Sequence, residues 1–160
     1  TWVQRLFPYK TPHVQMAGSA GAMGMGVPSA VASSLRDPER QVVCFVGDGG
    51  FLMTGNEMIA AVERNLPIRI IVSNNSSYGT IRLYQERYHP NRQIATDLTN
   101  PNFAMVAEAY GIKGFKIESD QDIKPVIAEA FNVDGPSLIE VKTSLEYISA
   151  YTTISQIRGG

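Results

Sequence analysis

Long apolar runs are missing from this chain. No stretch approaches roughly eighteen consecutive apolar residues, so no membrane-spanning helix is expected, and no basic-then-apolar leader suggests a signal peptide. The default expectation is a cytoplasmic setting without membrane partners. An excess of one charge is missing too. The 14 Lys and Arg are matched by 15 Asp and Glu, a formal net charge of −1, which gives no electrostatic case for nucleic acid or a membrane surface. Cysteine is reduced to Cys44, which cannot form an internal bridge and, inside an apolar run, is expected to be a packed core thiol. Internal repeats and low-complexity segments are absent. The chain begins with Thr1 rather than Met, so a piece excised from something longer is expected.

What is present suffices for one domain with a sizeable core: 160 residues, 44% of them hydrophobic. Its centre is the stretch from Val42 to Tyr78. The run Val42-Val43-Cys44-Phe45-Val46 ends in Gly47-Asp48-Gly49-Gly50, and Ile68-Arg69-Ile70-Ile71-Val72 ends in Ser73-Asn74-Asn75-Ser76-Ser77-Tyr78-Gly79. Both runs are short, β-branched and bounded by breakers, which predicts two buried parallel strands joined by a helix. In such sheets ligands lie beyond the carboxyl ends of the strands, where both polar clusters fall.

The two clusters are chemically complementary. Asp48 offers a carboxylate, Asn75 an amide oxygen, and the turn after it backbone carbonyls, a set suited to magnesium rather than zinc. Gly49 and Gly50 lack a Cβ, so their amides can approach an anion closely at the start of the next helix. Magnesium with a polyphosphate is the expected occupant. Taken singly, each cluster also reads as an ordinary turn, because Asp, Asn and Gly tolerate tight bends.

The remaining elements follow from periodicity and punctuation. Residues 1–16 are read as an irregular lead-in. A glycine-rich stretch, Ala17 to Gly26, precedes a helix of small residues from Ser29 to Leu35, opened by Val27-Pro28 and closed by Asp37-Pro38. Thr54-x-x-Glu57 predicts a capping box for a helix through Arg64, making Glu57 a structural cap rather than a catalytic acid. Gly79 to Tyr88 has helical spacing, which makes the amides of Tyr78 and Gly79 candidate phosphate donors. A polar loop follows from His89 to Thr99, long enough to be a lid or to meet a partner subunit. Its His89 and Arg92 are either solvated loop charges or contacts for a substrate carboxylate. Asn100-Pro101 is expected to cap a helix to Tyr110. Strands are expected at Phe115–Ile117 and Ser137–Val141, with a helix from Asp122 to Asn132 between them. The tail from 144 to 160 carries no strong signal. This order predicts a three-layer, doubly wound parallel α/β sandwich.

Gly47-Asp48-Gly49 followed at this separation by Asn74-Asn75 and Tyr78-Gly79 resembles the fingerprint of thiamine diphosphate-dependent 2-oxo acid enzymes, the acetolactate synthase and benzoylformate decarboxylase family. The resemblance runs from about Gly18 to Thr143 and implies the C-terminal, pyrophosphate-binding domain of such an enzyme, apparently without its first strand and helix. It implies Mg2+ held by Asp48, Asn75 and the carbonyl of Ser77, bridging the cofactor's diphosphate. The segment Gly21-Ala22-Met23-Gly24-Met25-Gly26-Val27-Pro28 is similar to the family's G-x-M-G-x-G-x-P. By that match Met23 is a wedge beneath the cofactor, its amide meets a pyrimidine nitrogen, and the Gly21 carbonyl accepts from the 4'-amino group. On the residues alone, Met23 reads as a filler of a core gap, the usual role of a methionine, and it is the resemblance that favours the wedge. Thr80, Ile81 and Tyr84 are implied to line the substrate pocket.

The resemblance also implies what the rest of the enzyme does. The family decarboxylates a 2-oxo acid and can transfer the resulting carbanion to an acceptor, as lyase or transferase, in branched-chain amino acid biosynthesis for the acetolactate synthases. Its catalytic glutamate comes from a pyrimidine-binding domain of the same or a neighbouring subunit in a homo-oligomer, so none is assignable here. Biosynthetic acetolactate synthases carry Glu-Gln-Gly-Met and then a tryptophan where this chain has Ser77-Tyr78-Gly79-Thr80 and then Tyr84. Asn74-Asn75-x-x-Tyr78-Gly79-x-x-Arg82 looks more like benzoylformate decarboxylase. A non-catalytic nucleotide-binding α/β module is the alternative from another class.

Overall fold

A computed structural model describes residues 2–12 and 14–159, so Thr1, with which the sequence begins, lies outside the described residues. Four parallel strands form one sheet: β1 (Val42–Gly47), β2 (Ile68–Asn74), β3 (Lys113–Ile117) and β4 (Ser137–Lys142), in the order β1-β2-β4-β3. The helices are α1 (Trp2–Leu6), α2 (Gly26–Arg36), α3 (Asp48–Thr54), α4 (Ile59–Glu63), α5 (Gly79–Tyr88), α6 (Phe103–Ala109), α7 (Ile123–Phe131) and α8 (Ile154–Ile157). The chain crosses from β2 to the far edge at β3, then steps back to β4. Right-handed crossovers therefore place the intervening helices on opposite faces.

The register shows the two faces directly. Cys44, Ile70 and Leu138 lie in one row with Gly114, and this face packs with α2, α3 and α6 into a core containing Phe51, Met58, Ile68, Val72 and Phe103. Phe45, Ile71, Ile139 and Phe115 form the opposite row, where Phe115, Ile117 and Ile139 pack with Ala130, Val126 and Phe131 of α7. Ile70, Leu138 and Ile139 are fully buried, each worth about 2 kcal/mol of apolar transfer. Gly114 lets α6 lie against β3, since a Cβ there would stand 2.2 Å from the Ala104 carbonyl oxygen. The three-layer parallel α/β fold expected from the sequence is the one observed.

Several local expectations are corrected. β1 is buried on one face only: the Cys44 side is covered, whereas Phe45 is 52% exposed, because the apolar cluster under α7 reaches across β3 and β4 to Ile71 of β2 and does not include β1. The lead-in is not wholly irregular, since Trp2–Leu6 is helical. The helix expected from Thr54 begins earlier, at Asp48, and breaks into a 3-10 turn, Gly55–Met58, before α4. Thr54 makes no cap hydrogen bond; its hydroxyl donates instead to the Gly24 carbonyl. Glu57 is therefore no capping-box partner, and its Oε1 only meets the Asn56 amide at 3.4 Å. The cap of α6 is Asn102, which accepts from the Met105 amide at 3.1 Å, so Asn100 is free for another task.

The tail is ordered. Thr153 and Gln156 form a reciprocal capping box at the start of α8, and Arg158 beyond it donates to both oxygens of Glu86 on α5, at 2.8 and 2.9 Å. Arg82, one turn before Glu86, completes the cluster at 2.9 Å. The Arg158 hydrogen bond, aided by Arg82 and opposed by burial, holds the Glu86 carboxyl below the usual carboxylate range.

Candidate functional site

The tips of β1 and β2 converge. Gly47 pairs with Ser73, so the chain delivers Asp48 and Asn74 side by side as the ladder ends. Both are buried, although neither sits in the apolar core proper. Asp48 Oδ1 accepts from the Gly49 amide at 2.9 Å, and Oδ2 accepts from Asn100 Nδ2 at 2.8 Å. The same Asn100 Nδ2 donates to Asn74 Oδ1 at 2.9 Å, closing a bridge between the two strand ends. Behind it, Asn74 Nδ2 donates to Glu140 Oε1 at 2.7 Å, and Glu140 Oε2 accepts from the Phe103 amide at 3.0 Å at the start of α6.

The turn after β2 is held from the other side. Asn74 Oδ1 accepts from the Ser76 amide at 3.1 Å and Asn75 Oδ1 from the Ser77 amide at 3.0 Å, two successive Asx turns that place Ser76 at φ +55°. Residues 96–98 strap this turn down. Tyr78 and the Ser77 hydroxyl both donate to the Thr96 carbonyl, at 2.8 and 2.9 Å, and Leu98 donates to Ser76 at 2.8 Å. The end of the 89–99 loop is thus a fixed strap, while His89 and Arg92 are exposed. The Tyr78 and Gly79 amides, expected as phosphate donors, are engaged with Thr96 and with the Ser77 carbonyl at 2.8 Å.

Close approach explains the glycines around this point. A Cβ on Gly49 would stand 2.4 Å from the Tyr78 ring, so any side chain there would push that ring away. Gly24, at φ +82°, abuts Met53 and Thr54 of α3, and the Gly50 α-carbon faces the Gly24 amide across the same gap. The glycine-rich stretch is thereby brought to the start of α3 through the Thr54 hydrogen bond. Met23, on that loop, is 47% exposed and so does not fill a core gap. Gly21, at φ +66°, sits in open space, and Thr80, Ile81 and Tyr84 present exposed side chains on α5.

No cluster of three or more His, Cys, Asp or Glu side chains suited to a metal occurs among the described residues. Two apolar hollows, of about 280 Å³ between α1 and Phe45 and about 180 Å³ beside Phe51, lie away from the strand tips. What the tips present is a set of oxygens: a carboxylate, a side-chain amide and a main-chain carbonyl.

Residues 1–141 match the family described as thiamine pyrophosphate enzyme, C-terminal TPP binding domain. The chain belongs to that family. Among its relatives, the acetolactate synthase large subunit of Lactococcus lactis is 36% identical over 145 residues, 89% of this chain and 25% of the relative. The probable acetolactate synthase large subunit of Methanococcus aeolicus is 35% identical over 141 residues, 87% of this chain and 24% of the relative. A putative thiamine pyrophosphate-containing protein of Bacillus subtilis reaches 35% over 141 residues. This thiamine pyrophosphate enzyme domain spans about a quarter of the length of these relatives.

The donor chemistry at the strand tips suits a hard divalent cation. Each of the two Asp48 oxygens, Asn75 Oδ1 and the Ser77 carbonyl accepts a single intramolecular hydrogen bond and keeps a lone pair for a cation. All are hard oxygen donors, which magnesium takes and softer metals do not select.

Sequence reasoning missed Asn100 and Glu140. Their signal was present but ambiguous. Asn100-Pro101-Asn102 offers two amides for one cap, and proline disfavours helical backbone in the residue before it. Glu140 is a lone carboxylate at an inward position of an otherwise apolar strand, which demands a partner.

Proposed function

We propose that this chain grips the diphosphate of thiamine diphosphate through Mg2+ in an acetolactate synthase-like enzyme, with Asp48, Asn75 and the Ser77 carbonyl as the protein ligands. One observation carries the reading: two adjacent strand tips are tied by a single amide, that of Asn100, so Asp48 meets Asn74, the residue directly before Asn75, at one place. Gly49 and Gly50 keep the start of α3 free of side chains, and at Gly49 this lets the Tyr78 ring close against it. Thr54 fastens the glycine-rich loop against α3, and the Gly21 carbonyl and Met23 on that loop would be the residues to meet the aminopyrimidine. Met23, exposed on that loop, serves as the wedge. Tyr78 and Gly79 shape the phosphate side of the turn, and to donate their amides they would first release Thr96 and Ser77.

When bound, the cofactor supplies the electron sink that lets a 2-oxo acid lose carbon dioxide and pass its carbon fragment to an acceptor. The residues of this chain anchor and orient it, and Thr80, Ile81 and Tyr84 on α5 face the substrate. A pyrimidine-binding domain, from the same or a neighbouring subunit of a homo-oligomer, supplies the catalytic glutamate. The acetolactate synthases among the relatives favour carboligation. The benzoylformate decarboxylase-like reading leans on the run completed by Arg82, and Arg82 is engaged with Glu86 and Asp97 at 2.9 and 3.2 Å, which makes it an anchor of α5 rather than a substrate contact.

Calorimetric titration with thiamine diphosphate tests the site. Binding is expected with Mg2+ and not with a chelator, and Asp48→Ala is expected to abolish it. Equal binding with and without the metal would sink the reading in favour of a different α/β nucleotide module. A panel of 2-oxo acids with the intact polypeptide separates carboligation from simple decarboxylation. The 160 residues alone are expected to show no turnover of pyruvate or benzoylformate.

A further inference from the structure

The buried hydrogen-bonded chain behind the strand tips has a direction. Both Glu140 oxygens act as acceptors, one toward the Phe103 amide and one toward Asn74 Nδ2. That fixes the Asn74 amide with its nitrogen toward Glu140 and its oxygen toward Ser76 and Asn100. Asn100 must then present its nitrogen, not its oxygen, to Asn74, and the same nitrogen reaches Asp48 Oδ2. The Asn100 oxygen is left buried without a partner, a penalty that an unconstrained amide would avoid by turning over. The amide keeps this orientation because the opposite one would set oxygen against both Asp48 Oδ2 and Asn74 Oδ1.

We propose that Asn100 is a positioning residue for the cation site, fixing the Asp48 carboxylate for metal, and that Glu140 dictates the Asn100 orientation through Asn74. The inference rests on the cation reading above. With Gly49 on one oxygen and Asn100 on the other, the Asp48 carboxylate is held at both ends, and each oxygen retains a lone pair. Glu140 touches neither Asp48 nor any proposed ligand, yet it determines which atom Asn100 shows them. Buried groups that orient a metal ligand typically change affinity by about 10-fold to 100-fold when removed.

The test is the Mg2+ concentration needed for half-maximal thiamine diphosphate binding, measured by calorimetry on the intact polypeptide, with the melting temperature of the metal-free protein recorded alongside. Asn100→Leu is expected to raise the Mg2+ requirement by about 10-fold or more, with bound stoichiometry recovered at high Mg2+. Asn100→Asp is expected to raise it further, because an acceptor then faces Asp48. Glu140→Gln is expected to shift it in the same direction, and the Asn100→Leu/Glu140→Gln double variant to match Asn100→Leu alone, since both changes act through one amide. An unchanged Mg2+ requirement in Asn100→Leu overturns the proposal, as does a lowered melting temperature with unchanged metal affinity. Additive effects in the double variant overturn the relay from Glu140. If the unaltered protein binds the cofactor without needing Mg2+, the cation reading falls and this inference with it.

Discussion

Two buried glutamates teach opposite lessons. Glu140, on β4, is satisfied by neutral donors, an asparagine amide and a backbone N–H, each with a fixed direction. Glu86, on α5, is satisfied by two guanidiniums, Arg82 with a side chain 15% exposed and Arg158 with one 51% exposed. The first arrangement transmits orientation, because an amide has a donor end and an acceptor end. The second transmits only attraction, and it fastens the 144–159 tail to α5. Both carboxylates are inaccessible to water, but the partners of Glu86 can turn to solvent if it is lost and those of Glu140 cannot.

The largest effect is therefore expected at Glu140. Glu140→Leu strands the Asn74 amide and the Phe103 N–H in the interior, and a loss of about 3 kcal/mol or more is expected by urea denaturation. Glu86→Leu removes a charge of comparable burial, yet Arg82 and Arg158 recover hydration, so a smaller loss of about 1–2 kcal/mol is expected. Equal losses at the two sites would break the distinction.

Acid sharpens the contrast further. Because the folded-state pKa of Glu86 lies below its ordinary value of 4.5, the stabilisation it gives is complete above that value and disappears as pH falls through the lower folded value. The stability gap between the unaltered protein and Glu86→Leu is expected to narrow as pH falls below the ordinary value of 4.5. A gap independent of pH would mean that the guanidiniums are not what holds Glu86. Arg158→Ala is expected to give the smallest change, a melting shift below that of Glu86→Leu that shrinks in high salt, with faster proteolysis confined to the tail.

Local signals carried much of this molecule. The two apolar runs before Gly47-Asp48-Gly49 and Asn74-Asn75 became adjacent parallel strands, and α2 and α5 formed where small residues and helical spacing placed them. What escaped notice were groups whose partners are remote in sequence. Thr54 looked like a cap because Glu57 follows at the right interval, but its hydroxyl is taken by Gly24, 30 positions away. Asn100 looked like a cap because Pro101 follows it, but Asp48 and Asn74 compete for its amide from 52 and 26 positions away. The α8 start was legible and overlooked, since Thr153-Ile154-Ser155-Gln156 carries the capping-box pattern. The open row on β1 was illegible, because alternation alone does not say which strand stands at an edge.

The single thiol has an experimental use. Cys44 is 5% exposed beneath α2, and burial pushes its pKa up to about 12, so alkylating reagents, which need the thiolate, find almost none in the closed protein. Labelling can proceed only when the sheet and its covering helix separate, which makes the modification rate a clock for that opening. A mass spectrometer reading one added label per molecule would time how cofactor loading or any substitution above changes the breathing of this layer, with no engineered tag.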